Sequence, residues 1–231
     1  HKGNKSQIVK NIKQWRTHMK LKKLAALTAL ALSSSFVSQS AMAGWTANAG
    51  LMSDYHFRGI QQTESASAYA GADYESEEGF YFGTWAAEVE DGLEVDLYGG
   101  YGTELENGVG ISMGFTTYQY TGDFDSAYNE LNFGLSYGFA SLEYSIGDWD
   151  GVVGNEAATE SKYEFIGVTL EHEGFYATFG KWGREFEGEY GEFGYGTEYQ
   201  GFDLGVALVV SGSDLDDSES LYFTIGKTFS L

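Results

Sequence analysis

The sequence predicts an all-β fold: an antiparallel transmembrane β-barrel of about 12 strands, with both termini on the periplasmic side. Three observations predict it. The stretch Leu221–Leu231 reads LYFTIGKTFSL, with Leu221, Phe223, Ile225, Phe229 and Leu231 on one face and Tyr222, Thr224, Gly226, Thr228 and Ser230 on the other. Period two over this length is a β-strand that is apolar on one side only. An unpaired apolar edge of that length recruits other chains, whereas in a closed barrel the last strand pairs with the first. Second, the same alternation recurs along the chain, and no segment shows the i, i+3, i+4, i+7 spacing of a helix. Third, tight turns alternate with longer loops, the asymmetry of outer-membrane barrels.

The first 43 residues are expected to stand outside this fold. Residues 1–18 are basic, polar and unpatterned, and read as an upstream extension. Residues 19–43 read as a signal peptide: Lys20, Lys22 and Lys23, then the apolar run Leu24–Leu32, then the small-x-small site Ala41-Met42-Ala43. The apolar run is shorter than the roughly 20 residues that span a bilayer. The barrel is therefore expected over 44–231.

Strands are expected in order near 45–58, 66–75, 79–89, 93–104, 108–120, 127–137, 140–148, 162–172, 175–184, 189–199, 202–211 and 219–231. Alternation is clearest at Leu93–Leu97, Val109–Phe115 and Phe202–Leu208. After even strands the connections are short and several carry Gly, as at Asn107-Gly108 and Glu173-Gly174. After odd strands they are longer and mostly acidic, as at 59–65, 122–126, 148–161 and 212–218. Aromatics near strand ends, among them Trp45, Tyr55, Phe57, Phe80, Tyr81, Tyr98, Tyr118, Tyr120, Phe175, Tyr176, Tyr199, Phe202 and Phe229, are expected to form two interfacial girdles.

Composition narrows the partners. Eight of the 13 Lys and Arg precede Gly44 and none of the 34 Asp and Glu does, leaving five bases against 34 acids in 44–231. Nucleic acid is excluded, because binding it needs clustered bases. There is no Cys and no Pro. Absence of Pro suits a chain made mostly of hydrogen-bonded strands.

Ser53-Asp54-Tyr55-His56-Phe57-Arg58-Gly59-Ile60-Gln61-Gln62-Thr63 resembles the SDYxFRGxSQT opening of the TorF-type family of bacterial porin-like proteins. The likeness continues through Gly79–Trp85, Glu94–Tyr101 and Tyr128–Tyr144. Here Gln61 stands where the family usually has Ser, and the Pro often found after Thr63 is absent. The resemblance implies an outer-membrane porin-like barrel in a Gram-negative bacterium.

The chemistry is expected in the lumen. By parity, Asp54, His56 and Arg58 point inward at the outer end of strand one, joined by Asp73, Glu75, Glu94, Asp96, Glu130, Glu143, Glu171, Glu192, Glu198 and Asp203. Against these acids stand two inward bases, Arg58 and Arg184. Such a set must be wet or paired. The pore-lining residues are expected to be Asp54, His56, Arg58, Asp73, Glu94, Asp96, Glu130, Glu143, Arg184, Glu192 and Asp203. Inward glycines leave room for water, or for Tyr side chains lying flat on the wall.

Two G-x-S-x-G matches, Gly110–Gly114 and Gly134–Gly138, fall inside expected strands rather than at the strand-to-helix turn that motif needs. No catalytic residue, cofactor or metal is expected. Loop acids Asp123, Asp125, Asp148, Asp150, Asp214, Asp216 and Asp217 match no calcium-loop spacing and read as solvated surface. The expected function is a narrow outer-membrane channel for small hydrophilic, cationic solutes. Two alternatives are a plugged structural barrel, with Arg58 and Arg184 cross-linking the interior, and an outer-membrane lipid hydrolase. Expected partners are outer-membrane lipid and lipopolysaccharide, small solutes or ions, and the barrel-assembly machinery through Leu221–Leu231.

Overall fold

Strands with one apolar face satisfy their backbone groups on both sides only when the sheet closes on itself. The computed structural model describes residues 43–156, 158–215 and 217–231. The stretch 1–18, the 19–43 segment save its last residue, and Asp216 lie outside them. Strand β1 (Gly44–Met52) is followed by a small hairpin, β2 (His56–Phe57) and β3 (Ile60–Gln61). The wall then continues through β4 (Ser67–Glu75), β5 (Phe80–Glu88), β6 (Leu93–Glu104), β7 (Val109–Tyr120) and β8 (Tyr128–Tyr137). It is completed by β9 (Ala140–Trp149), β10 (Ser161–His172), β11 (Phe175–Arg184), β12 (Glu189–Tyr199), β13 (Phe202–Ser211) and β14 (Glu219–Ser230).

Each wall strand pairs antiparallel with its neighbours in sequence, and β1 pairs with both β4 and β14, closing the barrel. The seam runs from Thr46↔Ser230 to Met52↔Thr224. Among the described residues no helix is long and apolar enough to cross a membrane.

Parity sorts the side chains as expected. Leu97, Met113, Leu131, Phe179, Phe223 and Ile225 are exposed on the outside, whereas Tyr222 and Thr224 are buried within. In water this outer belt would be a large apolar patch, and lipid is the surrounding that satisfies it. Two-residue turns at Glu173-Gly174 and Gln200-Gly201 have positive φ at both positions, matching the twist of the paired strands. Tyr rings do lie against inward glycines: Tyr69 covers Gly50 and Gly226, and Tyr81 covers Gly100 and Gly114.

Two expectations need correction. Strand one ends at Met52, not near residue 58. Ser53 still donates its N–H to Phe223 O at 2.9 Å, and the chain then leaves the wall and folds into the barrel. Arg58 (φ 46°) and Gly59 (φ 83°) form the tip of β2–β3, the same positive-φ pair as in the wall hairpins. The girdles are also thinner than expected. Tyr55 and Phe57 lie on this inner segment, and Tyr81, Tyr98, Tyr118, Tyr120 and Tyr176 have inward parity. Trp45, Phe80, Phe175, Tyr199, Phe202 and Phe229 do lie exposed near the turns.

Candidate functional site

The segment 53–66 occupies the loop-end half of the lumen. Its apolar side chains decide where it sits. Phe57 packs against two aromatic clusters, one of the wall residues Tyr163, Phe165, Trp182 and Tyr190, the other joining Tyr55 of the segment to Tyr69 and Trp85 of the wall. Backbone contacts pin the tip: Trp182 Nε1 donates to Arg58 O at 3.2 Å, and Ser211 Oγ donates to Gly59 O at 2.5 Å. Gly59 is required there, since its φ is positive and a Cβ would strike the Tyr190 ring.

Arg58 then reaches the far wall. Its Nη1 donates to Glu130 Oε1 at 2.5 Å, and its Nη2 donates to Glu130 Oε2 at 3.2 Å, to Glu143 Oε1, and to Ser145 Oγ at 3.1 Å. The guanidinium carbon lies 4.3 Å from the centre of the Phe165 ring and 5.5 Å from that of Trp182. Burying a charge in this way is tolerable only because paired acceptors replace the water. Those acceptors are held by the wall itself: Tyr118, Tyr163 and Asn132 donate to Glu130, and Ser145 donates to Glu143.

A second polar cluster holds the base of the segment. Ser53 and Ser220 donate to Asp54, and His56 Nε2 meets Asp54 Oδ2 at 2.7 Å while its ring stacks on Tyr222. Burial alone would raise the Asp54 pKa; the hydrogen bonds from Ser53, His56 and Ser220 outweigh it and hold the carboxyl below its ordinary value. On the other side Tyr55 Oη donates to Glu94 at 2.6 Å and Tyr120 Oη donates at 2.8 Å.

The structure brings together most of the expected lumen set. Asp73, Glu94, Asp96, Glu130, Glu143, Glu192 and Asp203 have inward parity on their strands. They divide into two zones. Glu94, Asp96 and Glu130 are each 1% exposed beneath the hairpin. Asp73, Glu171, Glu198 and Asp203, nearer the short turns, are partly or fully exposed, and Glu192, three residues into β12 from its loop end, is half-buried. Glu192 accepts from Tyr176 and Tyr222, and Asp73 accepts from Tyr98.

Three placements differ from parity reading. Asp54, His56 and Arg58 reach the lumen on the inward segment, not from the wall. Asp96 is not water-facing: its Oδ1 is buried with no hydrogen-bond partner among the described residues. Arg184 does not line the lumen. Its φ of 71° turns the side chain outward, where Nε lies 3.5 Å from Glu164 on the outer face. The lumen therefore keeps Arg58 and loses Arg184. The recognition partners Ser145, Asn132, Tyr118, Phe165 and Trp182 were missed by charge-based reading, though bulky aromatics at inward parity were the available signal.

Neither Gly110–Gly114 nor Gly134–Gly138 makes a strand-to-helix turn; the first lies within β7, and the second runs along β8 into the hairpin turn at Gly138. His56 and Ser220 both address Asp54 rather than each other, so no Ser–His pair of catalytic type forms there. Among the described residues no group of three or more His, Asp or Glu is placed to hold a metal ion. Of the loop acids, Asp125 is occupied by Tyr128 and Trp149.

Comparison with known proteins gives a family and a fold. A family model described as "Bacterial protein of unknown function (Gcw_chp)" matches residues 38–212. No curated protein matches the sequence. A solved structure reported as "KdgM porin" is similar with a TM-score of 0.54 at 6% identity, covering 80% of this chain and 99% of that one. Another, reported under "Unveiling the Mechanism Behind the in-meso Crystallization of Membrane Proteins", has a TM-score of 0.56 at 9% identity, covering 80% of this chain and 84% of that one. At these identities the likeness concerns the fold.

Proposed function

The chain belongs to the Gcw_chp family of bacterial proteins of unknown function, and from that premise we propose that it is a porin-like channel of the Gram-negative outer membrane, as the TorF-type resemblance also implies. It passes small hydrophilic solutes and favours cations. The observation that carries this reading is the lumen: among the described residues, inward carboxylates on most wall strands face a single inward Lys or Arg, Arg58, inside a closed barrel with an apolar exterior. Low-dielectric walls concentrate that negative potential, as acidic rings do in other cation pores. The segment 53–66 serves as the constriction, and the exposed acids nearer the short turns line the vestibule. We place the longer loops outside the cell, both termini in the periplasm, lipopolysaccharide around the loop-end rim, and Leu221–Leu231 with the assembly machinery. Residues 19–43 act as the signal peptide.

A second reading has its own observation. Arg58 is buried on Glu130 and Glu143, which favours a barrel plugged at rest. Single-channel recording in planar bilayers with a salt gradient separates the two. Steps with K⁺ preference in the unmodified protein support the open channel. Steps only after Arg58→Ala support the plugged barrel. Silence in both, with ester hydrolysis in detergent, would support the lipid hydrolase instead.

A further inference from the structure

We infer that the inner wall carries a guanidinium-recognition site which Arg58 fills in cis, so that the hairpin is an internal mimic of a guanidinium- or amidinium-bearing solute. Three observations on the page assemble this site. The carboxylates of Glu130 and Glu143 converge on one guanidinium edge, Glu130 through both of its oxygens. Such paired N–H···O⁻ bonds recognise a planar fork and not merely a point charge. Phe165 offers its ring face 4.3 Å from the guanidinium carbon. Glu130 is fully buried and is oriented by Tyr118, Tyr163 and Asn132, all on wall strands. The site's geometry therefore belongs to the barrel and does not depend on the hairpin for its acceptors.

The ligand, by contrast, is delivered on a separable element. Arg58 sits at the tip of a hairpin that pairs only with itself as a sheet, β2 with β3. Only its terminal nitrogens are read; Nε has no hydrogen-bond partner among the described residues. A solute presenting the same two-nitrogen edge on any stem satisfies the same acceptors. Its arrival competes with Arg58, and the hairpin yields the site to it. The passage of such a solute rests on the channel reading above; the site itself does not.

Chemical rescue tests the site without conductance. Arg58→Ala, and Arg58→Met, which keeps an unbranched apolar stem, are folded into detergent micelles with guanidinium chloride or sodium chloride at about 20 mM, far under the molar range that denatures. Guanidinium is expected to raise the unfolding temperature of both variants by about 4 °C or more over sodium, read by circular dichroism. The unmodified protein, its site filled, is expected to show no difference between the salts, and adding Glu130→Gln to Arg58→Ala to abolish the rescue. A variant that folds only with guanidinium is the same rescue in stronger form. Equal response to both salts, or folding of neither variant in either salt, overturns the proposal. In channels formed by Arg58→Ala, methylguanidinium is expected to block K⁺ current more strongly than methylammonium. Rescue without any conductance would keep the site and remove the channel; conductance without rescue or selective block would do the reverse.

Discussion

Arg58 and Glu130 lie 72 residues apart in sequence and meet through a two-nitrogen, two-oxygen contact with side chains 1% and 0% exposed. The contact joins the tip of an inward hairpin to the opposite wall of the barrel. Removing one member leaves the other charged and buried, so Glu130→Gln should destabilise the fold by about 3–5 kcal/mol. Urea titration of folding into lipid vesicles, read by heat-modifiable gel mobility, checks this. A double-mutant cycle with Arg58→Met should give a coupling energy clearly above zero.

Gly59→Ala should loosen the hairpin without touching any charge. The residue is at φ 83°, where a Cβ costs about 1–2 kcal/mol, and that Cβ would strike Tyr190. Trp182 donates to the neighbouring Arg58 carbonyl, so its fluorescence should shift toward that of a wetter ring. An unchanged emission spectrum and unchanged conductance would count against the hairpin as the constriction.

Leu97→Arg should cost about 2–4 kcal/mol in a bilayer if the residue faces mid-membrane lipid. Leu97 is exposed on the outer face, whereas neighbouring Asp96 is buried inside. The same substitution tested in detergent alone should cost less, because micelles adapt around a charge. Equal cost in bilayer and micelle would contradict the lipid-facing assignment.

The lumen should select K⁺ over Cl⁻, with a preference that falls as salt rises and screening shortens to a few ångströms. Glu192→Gln with Asp203→Asn, the first toward the loops and the second beside a short turn, should reduce it. Reversal potentials across a salt gradient measure the ratio, and anion preference in the unmodified protein would end the cation-channel reading.

Acid should release the base of the hairpin. Asp54 has a folded-state pKa below its ordinary 3.8, so its contribution is complete above that value and is lost as pH falls through the lower folded value. Asp54→Asn should remove this acid-end transition. Protease access to 53–66, compared near pH 6 and near pH 3, is the readout.

Most of the barrel was legible because period two is a local signal. Wall strands such as β6, β11 and β13 begin and end where alternation does. The inward segment was not, because Tyr55, Phe57 and Arg58-Gly59 keep the same alternation whether the chain continues up the wall or turns inside. What redirects it is tertiary: Phe57 finds aromatics from two sides, and Arg58 finds Glu130 and Glu143. Parity likewise placed Asp96 inside but could not say that it would be closed off from water. Arg184 failed for a local reason, since one positive-φ residue at a strand end reverses the side to which its side chain points.

The seam between β1 and β14 sets the order of assembly. Thr46 finds its partner at Ser230 and Met52 at Thr224, so closure waits on pairing across nearly the whole length of the wall. Each adjacent hairpin can form early and locally, but none of them removes the two open edges. Only the last strand does. Such a sheet has its slowest contact reserved for the end, and until then β1 and β14 present bare edges that other chains could join. The barrel is thus a clasp fastened after everything else is in place, and guarding those edges during the wait is the task that falls to whatever escorts the chain.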